Sequence, residues 1–429
     1  MPVDDVSPLP KTRTRIPVVI VGAGQAGLSA SWYLCRAGVA HVVLERHTRF
    51  HAWKNQRWDS FCLVTPNWQC RLPGFPYAGD DPDGFMPKDE IVNYVEAFAD
   101  SFDAPLREGV TVTRVERTED GRFDVDSDGG HWSAAHVIVA SGGYDRPVTP
   151  PFAADLAPSI TQIHTRDYQR PEDIPAGKCL VVGTGQSGVQ LMEDLRIAGR
   201  DVALAVGPAP RSPRMYRGRD ATDWLYEMGY YERSIADQPD PKATEAKTNH
   251  YMSGRDGGHE IDLRKFARDG LQLYGSVTGM DGTRIIFAPD LEWNLDDADA
   301  SYLGIRKMID AYIEDNGIDA PPEPPFEKVW RPETEITEID AEAEGITSIL
   351  WCIGFRPDYG WLRVDCLDET GRPIHRRGVC DVDGVYFLGL GWLHTWGSGR
   401  FLAVGDDAEH VTACILGRLG EDTHGQRFG

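Results

Sequence analysis

Residues 16–47 read IPVVIVGAGQAGLSASWYLCRAGVAHVVLERH, and this stretch decides the fold. Residues 18–21 are an apolar, β-branched run of the kind that forms a buried parallel strand. Gly22, Gly24 and Gly27 follow in G-x-G-x-x-G spacing and lead into a helix-compatible run over 28–37. A second apolar strand, 41–44, ends on Glu45, 18 residues after Gly27. Each part has its own physical reason. Gly22 permits the tight turn, Gly24 lets backbone approach a pyrophosphate, and Gly27 packs helix on strand. The helix N-terminus offers N–H donors to phosphates, and Glu45 can accept from a ribose 2′-OH. A lone glycine triplet reads equally as a Gly-rich turn. Here strand, glycines, helix, strand and acid occur in order within about 30 residues, as a dinucleotide fingerprint requires. Gln25, Ala26 and Arg46 are counted with the nucleotide-binding residues.

The totals narrow the partners. At 429 residues the chain accommodates two or three domains. With 44 basic and 67 acidic residues its formal net charge is −23, which argues against nucleic acid and anionic membrane surfaces as partners. No run reaches the ~18 apolar residues of a membrane span. Residues 1–15 lack an apolar signal core and read as a flexible leader. The eight cysteines are scattered without C-x-x-C or zinc-type spacing, so buried thiols in a reducing cytoplasm are expected, with no metal site.

Residues 48–77, which contain HAWKNQRWDSFCLVTPNWQCRLPGFPY, are rich in aromatics and proline and poor in periodicity. They read as a long ordered loop. Trp53, Trp58 and Trp68 are either hydrophobic anchors or a wall beside a cofactor ring, with Arg57, Asn67 and Gln69 as polar groups aimed at it. Helical spacing recurs over 88–98, a hairpin over 110–125 turns at Asp120-Gly121, and 136–140 is another buried strand. Pro147, Pro150 and Pro151 then mark a linker.

Residues 178–206 repeat the opening architecture. Gly183, Gly185 and Gly188 lie 161 residues after their counterparts (183 − 22), with Gln186 and Ser187 inside the motif. The second strand of this unit ends without an acid and is followed by Arg211, Arg214, Arg217 and Arg219. Arginines there suit a 2′-phosphate, against the blander reading of a solvated basic loop. The first site therefore reads as FAD or NAD and the second as NADPH. Residues 250–262 are either a loop over the active site or a surface excursion. A third buried strand, 346–353, runs into Gly354, and a final strand at 385–388 leads to Gly389 and to Gly397 and Gly399. These last precede a helix expected from about Ala403, and the tail from 420 is expected to be mobile.

These motifs together carry a family resemblance. GAGQAG (22–27), RLPGFP (71–76), IHTRDY (163–168), GTGQSG (183–188), CIGFRPD (352–358) and YFLGLG (386–391) resemble, in order and spacing, the flavin-dependent monooxygenases of the two-dinucleotide-domain type. Within that group the 57–77 stretch is similar to a bacterial subgroup of flavin oxidoreductases. The resemblance implies FAD on Gly22, Gly24, Gly27 and Glu45, and NADPH on Gly183, Gly185, Gly188 and the arginines after 210. It implies that Trp53 takes the place of the aromatic in the G-G-x-W motif, although His51 and Ala52 stand where the glycines would be. His164 and Tyr168 match the H-x-x-x-Y end of the monooxygenase linker pattern, while Ser159 and Ile160 depart from its beginning.

The expected fold is α/β, two Rossmann-like dinucleotide-binding domains with the NADPH domain inserted into the FAD domain. The expected boundaries are a leader to 15, FAD segments at 16–165 and 351–429, and the insert at 166–350. NADPH would reduce FAD, and the reduced flavin would add O₂ at C4a and pass one oxygen atom to a small amine or sulfur nucleophile. Asn67, Gln69 and His164 are the candidate catalytic groups, with a structural linker role equally open to His164. Trp53, Arg57, Trp58, Gly354 and Gly389 complete the cofactor-binding candidates. A flavin reductase or oxidase shares both domains, and a disulfide reductase would need a redox-active cysteine pair close in sequence, which the chain lacks. A non-catalytic binding protein would have lost one glycine set. The expected partners are a small substrate and O₂, and self-association is left open.

Overall fold

The computed structural model describes residues 13–425. The leader expected at 1–15 lies outside the described residues over 1–12. From Arg13 onward the chain is anchored, with the Arg13 guanidinium paired to Asp124 and Asp126. Strand β1 (Thr14–Val21) starts four residues before the expected run at 18–21, and the four residues before Gly22 are buried. Helix α1 (Gln25–Arg36) and strand β2 (His41–Leu44) complete the first β-α-β beginning. Helix α2 (Lys88–Asp100) and strands β3 (Leu106–Arg107), β4 (Val112–Arg117), β5 (Phe123–Ser127) and β6 (Gly130–Val139) follow. β6 does double duty. Residues 130–134 close the β4–β5 meander antiparallel on one edge, while residues 132–139 lie parallel to β1 on the other.

The chain then leaves this sheet and builds another from β7 (Thr161–His164), β8 (Lys178–Val182), helix α3 (Gln186–Ile197), β9 (Val202–Ala205), β10 (Gln272–Tyr274), the long helix α4 (Leu291–Asp315) and β11 (Ile346–Trp351). The strand order is β7–β11–β8–β9–β10, and every pairing is parallel. Apolar residues of β8 and β11 alternate between two separate cores, one on each face, which is why these strands read as unbroken hydrophobic runs. β7, with His164 at its end, thus belongs to the second sheet, and β11 is a central strand of that sheet. The chain returns to the first sheet at Leu362–Arg363, parallel to β4 at its edge, then through β12 (Val385–Phe387), parallel to β6, and ends in helix α5 (Val404–Gly425), which packs against α1. The last four residues of the expected mobile tail lie outside the described residues.

The architecture is α/β, with a unit built on an all-parallel sheet inserted into one built on a mixed sheet. Both crossings run through one short antiparallel ribbon, in which Arg146 and Pro147 face Arg356 and Phe355. Among the described residues, no helix is long and apolar enough to cross a membrane, and no cluster of three or more His, Cys, Asp or Glu is placed to hold a metal ion.

Candidate active site

A cavity of about 820 Å³ opens at the carboxyl end of β1 and reaches α3 of the inserted domain. Gly22, at φ +108°, begins its floor; a Cβ there would stand 2.5 Å from the Ala140 carbonyl oxygen. Gly27 is tighter still, since its added Cβ would meet the Gly22 carbonyl oxygen at 1.9 Å. Gly24 differs: nothing lies within 4 Å of its added Cβ, so the position faces open space above the helix N-terminus. Glu45 is fixed at the end of β2 because its two oxygens accept the Ala23 N–H at 2.8 Å and the His47 N–H at 2.9 Å. Arg46, exposed, pairs with Asp145 across the mouth. An open glycine, a helix N-terminus and an anchored acid on one cavity fit an FAD.

The far end of the cavity is aromatic. The Trp53 indole stacks on Phe401 with centroids 5.4 Å apart, and its N–H donates to Gln25 Oε1 at 3.1 Å. Gln25 Nε2 in turn donates to the Gly399 carbonyl at 3.1 Å. Gly389, at φ +83°, has no room for a side chain, because a Cβ would lie 2.6 Å from the Ala26 Cβ. Arg57 lies over Trp53 and Phe61, and burial lowers its pKa. Gln25, Ala26, Arg46, Trp53, Arg57 and Gly389 thus line the cavity together with Gly22, Gly24 and Glu45.

The remaining first-domain candidates sit elsewhere. Trp58 is 3% exposed and packs in the core of the inserted domain, so it is a domain anchor and not a cofactor wall. Asn67 is buried as a loop clasp, donating from Nδ2 to the Asp81 carbonyl at 2.9 Å and accepting the Met86 N–H at 2.8 Å. With both amide ends engaged and no place in the lining, it has no reach to a substrate. Gln69 is buried with neither amide atom paired, outside the lining residues. His164 sits at the domain crossing. Its Nδ1 accepts the Arg166 N–H at 3.2 Å, so Nε2 carries the proton and points to the Gly354 carbonyl at 3.3 Å. Burial lowers its pKa and keeps it neutral. His164 and Gly354 therefore hold the crossing and do not line the cavity. The three expected catalytic groups are not brought together.

The second glycine motif repeats the geometry of the first, with Gly183 at φ +104° and a Gly188 Cβ position 1.9 Å from the Gly183 carbonyl oxygen. Ser187 lies in the first turn of α3. Here the chain supplies its own roof. The Gln186 side chain clasps the Met252 backbone from both sides, and Thr248 stands 3.5 Å from the Gly185 Cβ position. The segment 250–262 is thus no surface excursion: it packs on α3, with Arg255 on Asp194 and His259 on Glu193. Gln186 and Gln190 still reach the large cavity.

The arginines after β9 require a correction. Arg211 is 3% exposed, held by Asp262 at 3.0 Å and Asp299 at 3.3 Å. Arg214 is 2% exposed, bonded to Asp220 and, at 2.7 Å, to the Val64 carbonyl. Both guanidiniums are consumed by internal partners and are not available to a 2′-phosphate. The sequence could not distinguish a basic loop from a row of buried ion pairs, because the acids that hold Arg211 lie tens of residues away and nothing local marks Asp220 as the partner of Arg214.

The cavity also draws on residues that the sequence reading passed over, notably Tyr144, Gln190 and Arg400. For Tyr144 and Arg400 the signal was present in SGGY (141–144), which follows a strand, and in the glycine-rich GSGRF (397–401) ahead of the last helix, while Gln190 sits on the helix after the second glycine motif. No cysteine lines the cavity. Burial pushes the Cys62 thiol up to about 11 and Cys70 up to about 12, so neither is a thiolate near neutral pH.

Fold and site together define a flavin-dependent oxidoreductase with two dinucleotide units. The comparisons with known proteins agree. Residues 19–219 match a family described as pyridine nucleotide-disulphide oxidoreductase. An uncharacterized CzcO-like oxidoreductase of Geobacillus kaustophilus is 30% identical, covering 94% of this chain and 98% of its own. The chain belongs to these CzcO-like oxidoreductases. Among solved structures, a flavin-containing monooxygenase from Stenotrophomonas maltophilia superposes with TM-score 0.66 at 19% identity, covering 95% of this chain and 99% of its own. OTEMO in complex with FAD and NADP superposes with TM-score 0.56 at 16% identity, covering 96% and 86%.

Proposed function

We propose that the protein is a monooxygenase that uses FAD and NADPH to transfer one atom of O₂ to a small nucleophilic substrate. One observation carries this reading: a single cavity takes Gly22, Gly24 and Gln25 of the first glycine motif on one side and, on the other, Gln186 of the second motif and Gln190 of the helix that follows it. Bound FAD would supply two-electron storage and reactivity with O₂. The chain's part is to hold and enclose it. Gly24 and the α1 N-terminus receive phosphate, Glu45 receives a ribose hydroxyl, and Trp53, Phe61 and Phe401 exclude water at the far end. The lack of a cysteine in the lining weighs against electron delivery to a disulfide, despite the name of the matching family model. The choice of NADPH over NADH rests on the family likeness, since Arg211 and Arg214 are engaged internally.

The test is stoichiometric. The holoprotein is turned over with NADPH or NADH, with and without amines and sulfides, while hydrogen peroxide and incorporation of labelled oxygen are measured. Peroxide falling below the NADPH consumed, with label in the product, supports the reading. One peroxide per NADPH with every substrate points to an oxidase and overturns it.

A further inference from the structure

Four arginines line the large cavity, and they fall into two pairs. Arg46 and Arg146, near the mouth, are neutralised by Asp145 and Asp358. Arg57 and Arg400, at the aromatic end, make no ion pair among the described residues. Arg57 has one hydrogen bond, to the neighbouring Gln56 carbonyl at 2.9 Å, and otherwise rests 5.1 Å from the Trp53 ring centroid. Arg400 lies 4.1 Å from the Trp396 ring centroid and donates to the Trp396 carbonyl and, at 2.6 Å, to Asn249 Oδ1. All of these partners are neutral. In a chain of net charge −23, two cavity arginines without a carboxylate stand out.

The two guanidiniums also share surroundings. Tyr144 acts electrostatically on both, and burial lowers the pKa of each. A half-buried guanidinium without a counter-ion is unfavourable, and an arriving anion relieves that penalty while using the planar N–H fork. The adjoining walls, Trp53, Phe61 and Phe401, are apolar and suit a hydrocarbon or aromatic body.

We propose that Arg57 and Arg400 form a carboxylate-binding pair, so that the substrate is a small organic acid whose apolar body lies against Trp53, Phe61 and Phe401. This deepens the reading of the cavity as the reaction site, and rests on it. It makes the enzyme selective for anions where Arg46 and Arg146 are already satisfied.

The experiment is direct binding to the flavin-loaded protein, without nicotinamide cofactor or turnover. Acetate, benzoate and phenylpropionate are titrated with flavin difference absorbance and tryptophan fluorescence as readouts, and benzamide serves as the uncharged control. The same titrations are run on Arg57→Gln, Arg400→Gln and the charge-keeping Arg57→Lys, each checked for flavin content and melting temperature. NADP⁺ is titrated separately. The expected result is saturable binding of benzoate or phenylpropionate, weakened at least tenfold in each Gln variant and less in Arg57→Lys, with benzamide binding poorly and NADP⁺ affinity unchanged. The proposal is overturned if no acid saturates, if benzamide binds as well as benzoate, or if the Gln variants lose NADP⁺ and not the acids. Failure of oxygen transfer would leave these binding results untouched, so the two readings fail separately.

Discussion

The indole N–H of Trp53 donates to the Oε1 of Gln25, tying the aromatic end of the cavity to the first turn of α1. Because the same amide donates to the Gly399 carbonyl, one side chain sets the spacing of three segments far apart in sequence. Each such bond contributes about 1 kcal/mol. Gln25→Leu should therefore weaken flavin binding by about tenfold while leaving the fold intact. Flavin content after dialysis and the circular dichroism spectrum check this together.

The glycines of the first motif separate two effects that a single knockout confuses. Gly27→Ala should prevent folding, because its Cβ meets the Gly22 carbonyl oxygen at 1.9 Å. Gly24→Val should fold yet emerge colourless, because its side chain enters open cavity space. A folded, yellow Gly24→Val protein would be incompatible with flavin at this site.

Arg211→Ala and Arg214→Ala should act on stability and not on coenzyme choice. Each removes one partner of a buried ion pair, an effect of about 3–5 kcal/mol. Melting temperatures should fall steeply, while the ratio of KM values for NADPH and NADH stays within about twofold. A selective rise in KM for NADPH at an unchanged melting temperature would contradict the buried pairing.

Asp407, 2% exposed on the first turn of α5, has one oxygen without a hydrogen-bond partner. Burial pushes its pKa up to about 6, with Ser398 and Arg377 pulling back. The folded pKa lies above the unfolded value of about 3.9, so the folded state binds the extra proton. This group therefore lowers stability as pH rises through about 6, and the loss is relieved on acidification toward about 4. Asp407→Asn should raise stability at pH 8 by up to about 3 kcal/mol and have little effect near pH 4. Thermal melts of both proteins across that range are the check.

Much of the architecture was legible because it is local. Both β-α-β beginnings, their glycines and the helix after 403 follow from periodicity within a few tens of residues. The ownership of β7 was not, since a four-residue strand at a linker gives no sign of which sheet it joins; only its pairing with β11 decides. The site divides the same way. Gly22, Gly24, Gln25, Glu45, Trp53 and Arg57 reach the cavity as their local setting implied. Asn67 and His164 are polar residues in an aromatic or linker context, and sequence cannot tell a backbone clasp from a reacting group. Arg400 escaped notice because its significance lies in the carboxylates that are missing around it.

The narrow ribbon between the two sheets has an evolutionary corollary. The Val148 N–H donates to the Gly354 carbonyl at 3.1 Å, so the inserted segment begins and ends within one hydrogen bond of itself. A module whose two ends meet can be exchanged between hosts without reshaping them. Exchange here would carry more than the ribbon, because Gln186 and Gln190 of the cavity wall and the core that receives Trp58 travel with the insert.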